Sequence, residues 1–292
     1  MSRIEHFFFR TGPPHLLALF RIAFGSFLLV HWGKYLPYVP MLFSNQGMVF
    51  PLDAGIAAWW PAVFIPPPLW LAWLLYALML GSLVLVTVGF ITRPALILAL
   101  ALYMYYWHLF LHLLGGSFDR IFVFLLLVLC ISGCDRTYSL RMYLRKGSWR
   151  AWEHISVLPQ RLIALQITAL YLGVCWQKFW LPDWQSGEII RLSLMGRWAT
   201  PLALWFAQRQ MPDWWYDISN ELVKFGQFVL PWMFWIRSTR WVAFGLQAFF
   251  LIVITAFLGM WWFLALIPAS ICFFEPEGIL PPPMRKRSSE SK

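Results

Sequence analysis

A single lysine at position 178 lies inside an apolar part of the chain, YLGVCWQKFWLPDW at residues 171–184. The residues before it are almost all apolar and predict a helix that crosses a membrane. A charged side chain at the centre of such a helix costs about 2.5–3.5 kcal/mol on insertion scales. Two interpretations of Lys178 are open: its ammonium reaches the headgroup layer along the helix, or it is a desolvated amine that acts as a base.

Two further polar pairs lie near the ends of apolar stretches. His108 and His112 are four residues apart and share a helix face, which fits bonds to a neighbouring helix, to water or to a substrate. Because a metal site needs at least a third ligand, we predict no metal there. Asp119 and Arg120 begin another stretch, where Asp119 fits a helix cap, an ion pair with Arg120 or a position facing a cavity.

The last candidates lie on other apolar stretches. Glu221 and Lys224 are three residues apart, which fits an ion pair within one helix or, with Gln247, the lining of an interior polar pocket. With Lys178 as the candidate base, the candidate substrate-binding residues are His31, His108, His112, Asp119, Arg120, Glu221 and Gln247.

The composition indicates which elements must position these residues. Of the 292 residues, 60% are hydrophobic and only 12% are charged, whereas soluble domains have roughly 25% charged residues. The chain is therefore predicted to be one all-α, multipass transmembrane helical bundle over residues 1–292. About eight spans are predicted, at 16–37, 69–91, 95–114, 160–181 and 216–236, with shorter ones at 119–134, 241–258 and 260–274.

The net charge of +10 is explained by topology. With the N-terminus inside and eight alternating spans, inner segments carry fourteen arginines and lysines and outer segments carry four. We therefore predict an integral plasma (inner) membrane protein with cytoplasmic termini, partnered by the lipid bilayer and not by nucleic acid. Fifteen of the twenty tryptophans fall on the outer half, which predicts an aromatic cap over an outward-facing polar cavity.

Several segments, taken in order, resemble the HTTM family (horizontally transferred transmembrane domain), a membrane domain shared with vitamin K-dependent gamma-carboxylase. The resemblance runs from about residue 10 to about residue 278 and leaves 279–292 as a basic cytoplasmic tail. The segments are LFRIAFGSFLLV, LFSNQGMVFP, LVTVGFITRPALILAL, HLLGGSFDRIFVFLLLVL, CDRTYSL, YLGVCWQKFWLPDWQSG and the final FFEPEG.

The resemblance implies a chemistry for Lys178. In the carboxylase, a lysine in the matching segment is thought to deprotonate vitamin K hydroquinone, and Lys178 matches it by its position before Asp183 and Trp184. This implies a carboxylase-like enzyme that uses reduced vitamin K or menaquinone, or that acts on a peptide or lipid at the outer face. The carboxylase has a histidine where this chain reads GGSFDR.

The resemblance also implies an alternative that needs no catalysis. Compact bacterial members of the family include a membrane protein needed to mature a secreted peptide toxin. On this alternative, the chain is a non-enzymatic membrane partner in the maturation, export or immunity of a small secreted peptide, and its polar cluster stabilises helix packing.

Overall fold

The protein, seen in a computed structural model, is described over residues 3–48, 65–110 and 116–275, and this part is nearly all-α. The helices are α1 Arg3–Phe9, α2 His15–Gly33, α3 Val39–Phe43, α4 Leu69–Val88, α5 Thr92–Phe110, α6 Ser117–Ile131, α7 Leu140–Lys146, α8 Leu158–Trp180, α9 Glu188–Ser193, α10 Pro201–Ala207, α11 Asp213–Trp235, α12 Arg240–Leu258 and α13 Leu266–Ala269. Turns of 3₁₀ helix cover Leu36–Tyr38, Pro182–Trp184, Trp261–Ala265 and Ser270–Phe273.

Four of these helices, α2, α4, α8 and α12, are long and apolar enough to cross a membrane. Their outward faces carry large apolar side chains such as Trp70, Leu74 and Phe249, which are 68%, 49% and 68% exposed. An apolar outer surface suits contact with lipid tails, and a helix satisfies its own backbone polar groups there. The chain is an integral membrane protein.

The other predicted spans differ from the four in length or polarity. Helix α6 has 15 residues and ends at Ile131, three residues before the predicted boundary. The segment predicted at 260–274 is a succession of short 3₁₀ and α turns from Trp261 to Phe273. Pro268 lies within this succession and cannot donate a backbone hydrogen bond, which disfavours one continuous helix.

A two-stranded sheet adds to the predicted all-α fold. Strand β1, Thr11–Gly12, pairs antiparallel with strand β2, Ile155–Ser156. The pairing brings together the segments that precede α2 and α8, and the amide of Val157 extends it by donating to the carbonyl of Arg10. Two-residue strands carry too little alternation to be predicted from a sequence.

Arg21 of α2 ties three segments together although it is fully buried. Its guanidinium donates to the carbonyls of Val86 and Thr87 at the end of α4, and to those of Cys134 and Tyr138 after α6. Carbonyls at a helix C-terminus lack partners within the helix and carry partial negative charge. The buried cation is therefore satisfied by main-chain oxygens.

Most of the other arginines in the described part of the chain lie at the same end of the bundle as Arg21. We call this end the basic end and define it by Arg10, Arg21, Arg136, Arg141 and Arg240. The carboxylates there are shared between cations. Glu275 pairs with Arg10 at 3.2 Å and lies 3.9 Å from Arg161. Glu153 pairs with Arg136 and, at 2.9 Å, with Lys146.

The opposite end is rich in tryptophan, and we define it by Trp32, Trp184, Trp198 and Trp261. Buried tyrosines fasten the helices near it: the hydroxyl of Tyr76 donates to the carbonyl of Trp32. Of the polar residues that the sequence singles out, His31, Asp119 and Lys178 lie at this tryptophan-rich end.

Candidate functional site

Two polar stripes face each other where α8 packs on α11. On α8 the stripe is Tyr171, Cys175 and Lys178, and on α11 it is Asn220, Lys224 and Gln227. Residues spaced at i, i+4 and i+7 lie on one face of a helix. The Cys175 thiol donates to the carbonyl of Lys224 at 3.4 Å, which places the two stripes in direct contact.

Lys178 is half-buried and lies where this helix contact approaches the C-terminus of α8. Its ammonium nitrogen is 3.8 Å from the ring centre of Trp184, in the range of a cation–π interaction. No carboxylate of the described residues lies within ion-pair distance of it. The side chain therefore turns onto an indole ring of the turn that follows its own helix.

The carbonyl of Trp184 lies between the same two helices. It accepts hydrogen bonds from the amide of Asn220 at 2.9 Å and from the ammonium of Lys224 at 3.2 Å. The 3₁₀ turn Pro182–Trp184 follows α8 directly. Trp184 thus covers Lys178 with its ring and anchors α11 with its main chain.

Several buried polar atoms around this contact lack a hydrogen-bond partner. They are the hydroxyl of Tyr171, the carbonyl oxygens of the Asn220 and Gln227 side chains, and both amide atoms of Gln247 on α12. Gln247 is fully buried and lies near the Tyr171 hydroxyl without hydrogen-bond geometry between them. Because buried polar groups are paired in most folded proteins, such a concentration indicates a place for polar ligand atoms or water.

We call this group the Lys178 seam, and its members are Tyr171, Lys178, Asn220, Lys224, Gln227 and Gln247.

Glu221 has a different role from Lys224, although the sequence groups them. Its carboxylate pairs with the Lys224 ammonium at 2.5 Å, which confirms the ion pair within one helix. The Glu221 side chain is 65% exposed, whereas that of Lys224 is 7% exposed. Lys224 and Gln247 therefore face the interior, and Glu221 lies at its edge.

A second group surrounds His31 on α2. The imidazole is 3% exposed and contacts the rings of Phe27, Phe118 and Trp261. Its Nδ1 atom has no hydrogen-bond partner. The nearby Lys34 ammonium lies 4.4 Å from the Trp261 ring centre. This group lies among α2, α6 and the turn Trp261–Ala265, and the Lys178 seam lies among α8, α11 and α12.

Asp119 takes the capping role. One carboxylate oxygen accepts from the amide of Gly116 at 2.9 Å, and the other accepts from the hydroxyl of Tyr103 at 2.6 Å. Arg120 is exposed and forms no ion pair within the described part of the chain. Of the roles predicted for Asp119, the cap is confirmed and the pair with Arg120 is wrong, because its acceptor sites point to the helix start and to α5.

The histidine pair is only half described. His108 is buried, and its Nδ1 lies 2.5 Å from the carbonyl of Met104 on its own helix. His112 lies outside the described residues.

Sequence reasoning did not assign Tyr171 or Asn220 to a site. The signal was available in the i, i+4, i+7 spacing of polar residues along α8 and α11, since that pattern marks a common face. Nothing in the residue pattern marks Trp184 as a contact of Lys178, because that contact depends on the turn that follows α8.

Comparison with known proteins supplies the family. The HTTM domain family matches residues 9–277, nearly the whole chain. Neither a search of curated proteins nor a search of solved structures gave a match. The resemblance that the sequence suggested is thus confirmed over nearly the whole chain, and the chain belongs to the HTTM domain family.

Proposed function

We propose that this protein is a carboxylase-like membrane enzyme that acts on a reduced, lipid-soluble quinone, with Lys178 as its base. The observation that supports this most is the Lys178 seam. A half-buried amine without a carboxylate partner in the described residues lies beside helices whose buried polar atoms lack partners. Such an arrangement suits proton transfer from a polar ligand in surroundings that exclude water.

The seam fits the polar atoms of a hydroquinone. Each hydroxyl group of a hydroquinone can donate and accept hydrogen bonds. The Gln247 amide and the Tyr171 hydroxyl can also donate and accept, so they match it. The Gln227 carbonyl adds an acceptor. These three residues would hold the ring, while the apolar faces of α8 and α12 suit an isoprenoid tail. A bound hydroquinone would supply an acidic proton and, with dioxygen, a strong base for a further substrate.

The chain's own residues would then act as follows. Lys178, as the free amine, accepts the proton at its Nζ atom. The face of Trp184, 3.8 Å away, stabilises the ammonium that results. Lys224, held by Glu221 at 2.5 Å, adds positive charge that favours negative charge on a ligand in the seam.

We further propose that the other polar residues singled out by the sequence contact the substrate. His31 and Asp119 belong to the second polar group at the same end, and His108, His112, Arg120 and Glu221 remain candidates for contacting a peptide or lipid substrate at the outer face.

We also propose a topology for the chain in the membrane. About eight crossings, with cytoplasmic termini in an inner membrane, put the basic end inside and the Lys178 seam outside. The excess of arginine and lysine at the basic end supports this orientation.

A titration in nanodiscs tests the proposed function. A reduced menaquinone analogue is added to the wild type, to Lys178→Ala and to Gln247→Leu, with Lys146→Ala at the basic end as control. We expect binding that both seam variants weaken and the control retains. Equal binding by all four proteins would remove quinone chemistry from consideration.

One observation favours the non-enzymatic alternative. Large apolar side chains are exposed on the outer helices and turns, namely Leu192, Met195, Trp205 and Trp214, and such a surface suits a secreted peptide partner. If this is the function, cells carrying Lys178→Ala would mature the peptide as the wild type does.

A further inference from the structure

A cavity of about 200 Å³ lies at the basic end, far in the fold from the Lys178 seam. It lies between the start of α5, the end of α6 and the beginning of α7. Its polar lining consists of Thr92, Arg93, Ser132, Asp135, Arg136 and Arg141.

Thr92 gives the cavity an unsatisfied hydrogen-bonding group. The residue is 2% exposed, and its Oγ1 atom has no hydrogen-bond partner. It is the first residue of α5, a helix of 19 residues. The backbone N–H groups at such a start lack partners within the helix and carry partial positive charge, which favours an anion.

The charge balance around the cavity is positive. Arg93 is exposed and forms no ion pair with any carboxylate of the described residues. Arg141 pairs with Asp135 at 2.6 Å, which offsets the one carboxylate in the lining. Arg136 pairs with Glu153, but that carboxylate is shared with Lys146 and lies 3.8 Å from Arg145. Four cations therefore share two carboxylates, and Arg93 adds a fifth positive charge that no described carboxylate offsets.

The donors at the cavity suit one kind of anion. A guanidinium has five N–H donors, so an arginine in one ion pair keeps donors for another partner. Planar guanidinium groups bind phosphate oxygens in pairs. A hydroxyl and a helix start, set among arginines, add further donors to phosphate oxygens.

We propose that this cavity binds a phosphate group, supplied by a phospholipid headgroup or by soluble phosphate. Arg93 and Thr92 contact the phosphate directly, and Arg136 and Arg141 contribute charge from their ion pairs. The basic end then recognises a chemical group and not only the negative surface of a membrane.

Unfolding of the full-length protein in a neutral detergent, with defined additives, tests the proposal. One arm compares inorganic phosphate with chloride at constant ionic strength. The other compares phosphatidylglycerol with a neutral galactolipid, which has no phosphate. The proteins are the wild type, Thr92→Val, Arg93→Gln and Thr92→Ser, with Arg209→Gln, an exposed arginine of the other end, as control.

We expect a phosphate-bearing additive to raise the unfolding temperature of the wild type, Thr92→Ser and Arg209→Gln. Half-saturation in Thr92→Val and Arg93→Gln should need roughly tenfold more additive, as for the loss of one charge-assisted hydrogen bond. Without additive, Thr92→Val should be no less stable than the wild type, since its hydroxyl has no partner to lose. A response to the lipid alone assigns the site to headgroups, and a response to the free ion alone assigns it to soluble phosphate. No response to either additive, or equal responses in all five proteins, would overturn the proposal.

Discussion

The ammonium of Lys178 lies over the indole of Trp184 at 3.8 Å, and the carbonyl of the same tryptophan accepts hydrogen bonds from Asn220 and Lys224. One residue of the turn after α8 thus contacts the candidate base with its ring and holds α11 with its main chain. The position of the Lys178 amine and its shielding by an indole ring therefore both depend on one short turn.

A double-mutant cycle should show this contact as coupling. Lys178→Met and Trp184→Leu should each lower the free energy of unfolding, and their combination should cost less than the sum of the two. A cation–π pair that is partly shielded from water predicts a coupling of about 0.5–2 kcal/mol. Steric trapping or thermal unfolding in detergent would measure it.

The control for that cycle is Trp180→Leu. Trp180 is 70% exposed and its ring contacts Trp176. Its cycle with Lys178→Met should give no coupling, and a coupling as large as that of Trp184 would mean that the method reports general destabilisation.

Replacing Gln247 by leucine should stabilise the protein without ligand. Both amide atoms of Gln247 are buried without partners, and removing such a group recovers a desolvation cost of roughly 1–3 kcal/mol. Gln160→Leu is the matched control, because the Gln160 amide donates to the carbonyls of Cys272 and Phe274 and its loss should destabilise by a similar amount. Destabilisation by both variants in ligand-free thermal unfolding would indicate that Gln247 has partners after all.

Gly89 should tolerate no side chain. Its φ of 78° is left-handed, and an added Cβ would lie 2.5 Å from the Cβ of Ser139 and 2.7 Å from a guanidinium nitrogen of Arg21. Gly89→Ala should therefore cost roughly 3 kcal/mol or more, from backbone strain and overpacking together.

Gly147→Ala separates backbone strain from overpacking. Gly147 has a φ of 66°, but an added Cβ would meet no atom within 4 Å. Backbone strain alone should lower the free energy of unfolding by about 1–2 kcal/mol, which the shift of the unfolding midpoint measures. Equal losses for the two variants would mean that Arg21 and Ser139 move aside.

The basic end should lose stability in acid through Glu153. Hydrogen bonds from Lys146 and Arg136 lower the pKa of Glu153 from 4.5 to about 2. A carboxylate whose pKa is lowered by folding stabilises the protein above the unfolded pKa, so this contribution is lost as the pH falls from about 4.5 towards 2. Glu153→Gln should be less stable at pH 7 and should lose less on acidification. Lys146→Met should shift the acid transition to higher pH, and identical acid profiles for the three proteins would exclude Glu153 as its cause.

Hydropathy alone predicted the positions of the helices of 15 residues or more, since membrane spans are long apolar runs. Hydropathy failed where polar residues or local backbone chemistry determine the secondary structure. The succession of turns around Pro268 and the β1–β2 pairing have no long periodic signal. The four main-chain contacts of Arg21 were also hidden, because carbonyl partners leave no trace in residue types.

The candidate site was predicted in part. Lys178, Lys224 and Gln247 stand out as polar residues in apolar stretches, which is enough to single them out but not to place them together. Glu221 and Arg120 stand out equally, yet they are exposed. Only the rotation of each helix decides which polar residues face inward, and packing against several neighbours sets that rotation.

The decisive measurement is the rate at which the protein in nanodiscs consumes reduced menaquinone in the presence of dioxygen. If Lys178 is the base, Lys178→Ala should lower this rate by about 100-fold or more, as for the loss of a general base, and added methylamine should restore part of it. A wild-type rate no higher than that of empty nanodiscs, or a Lys178→Ala rate equal to that of the wild type, would contradict this role of Lys178.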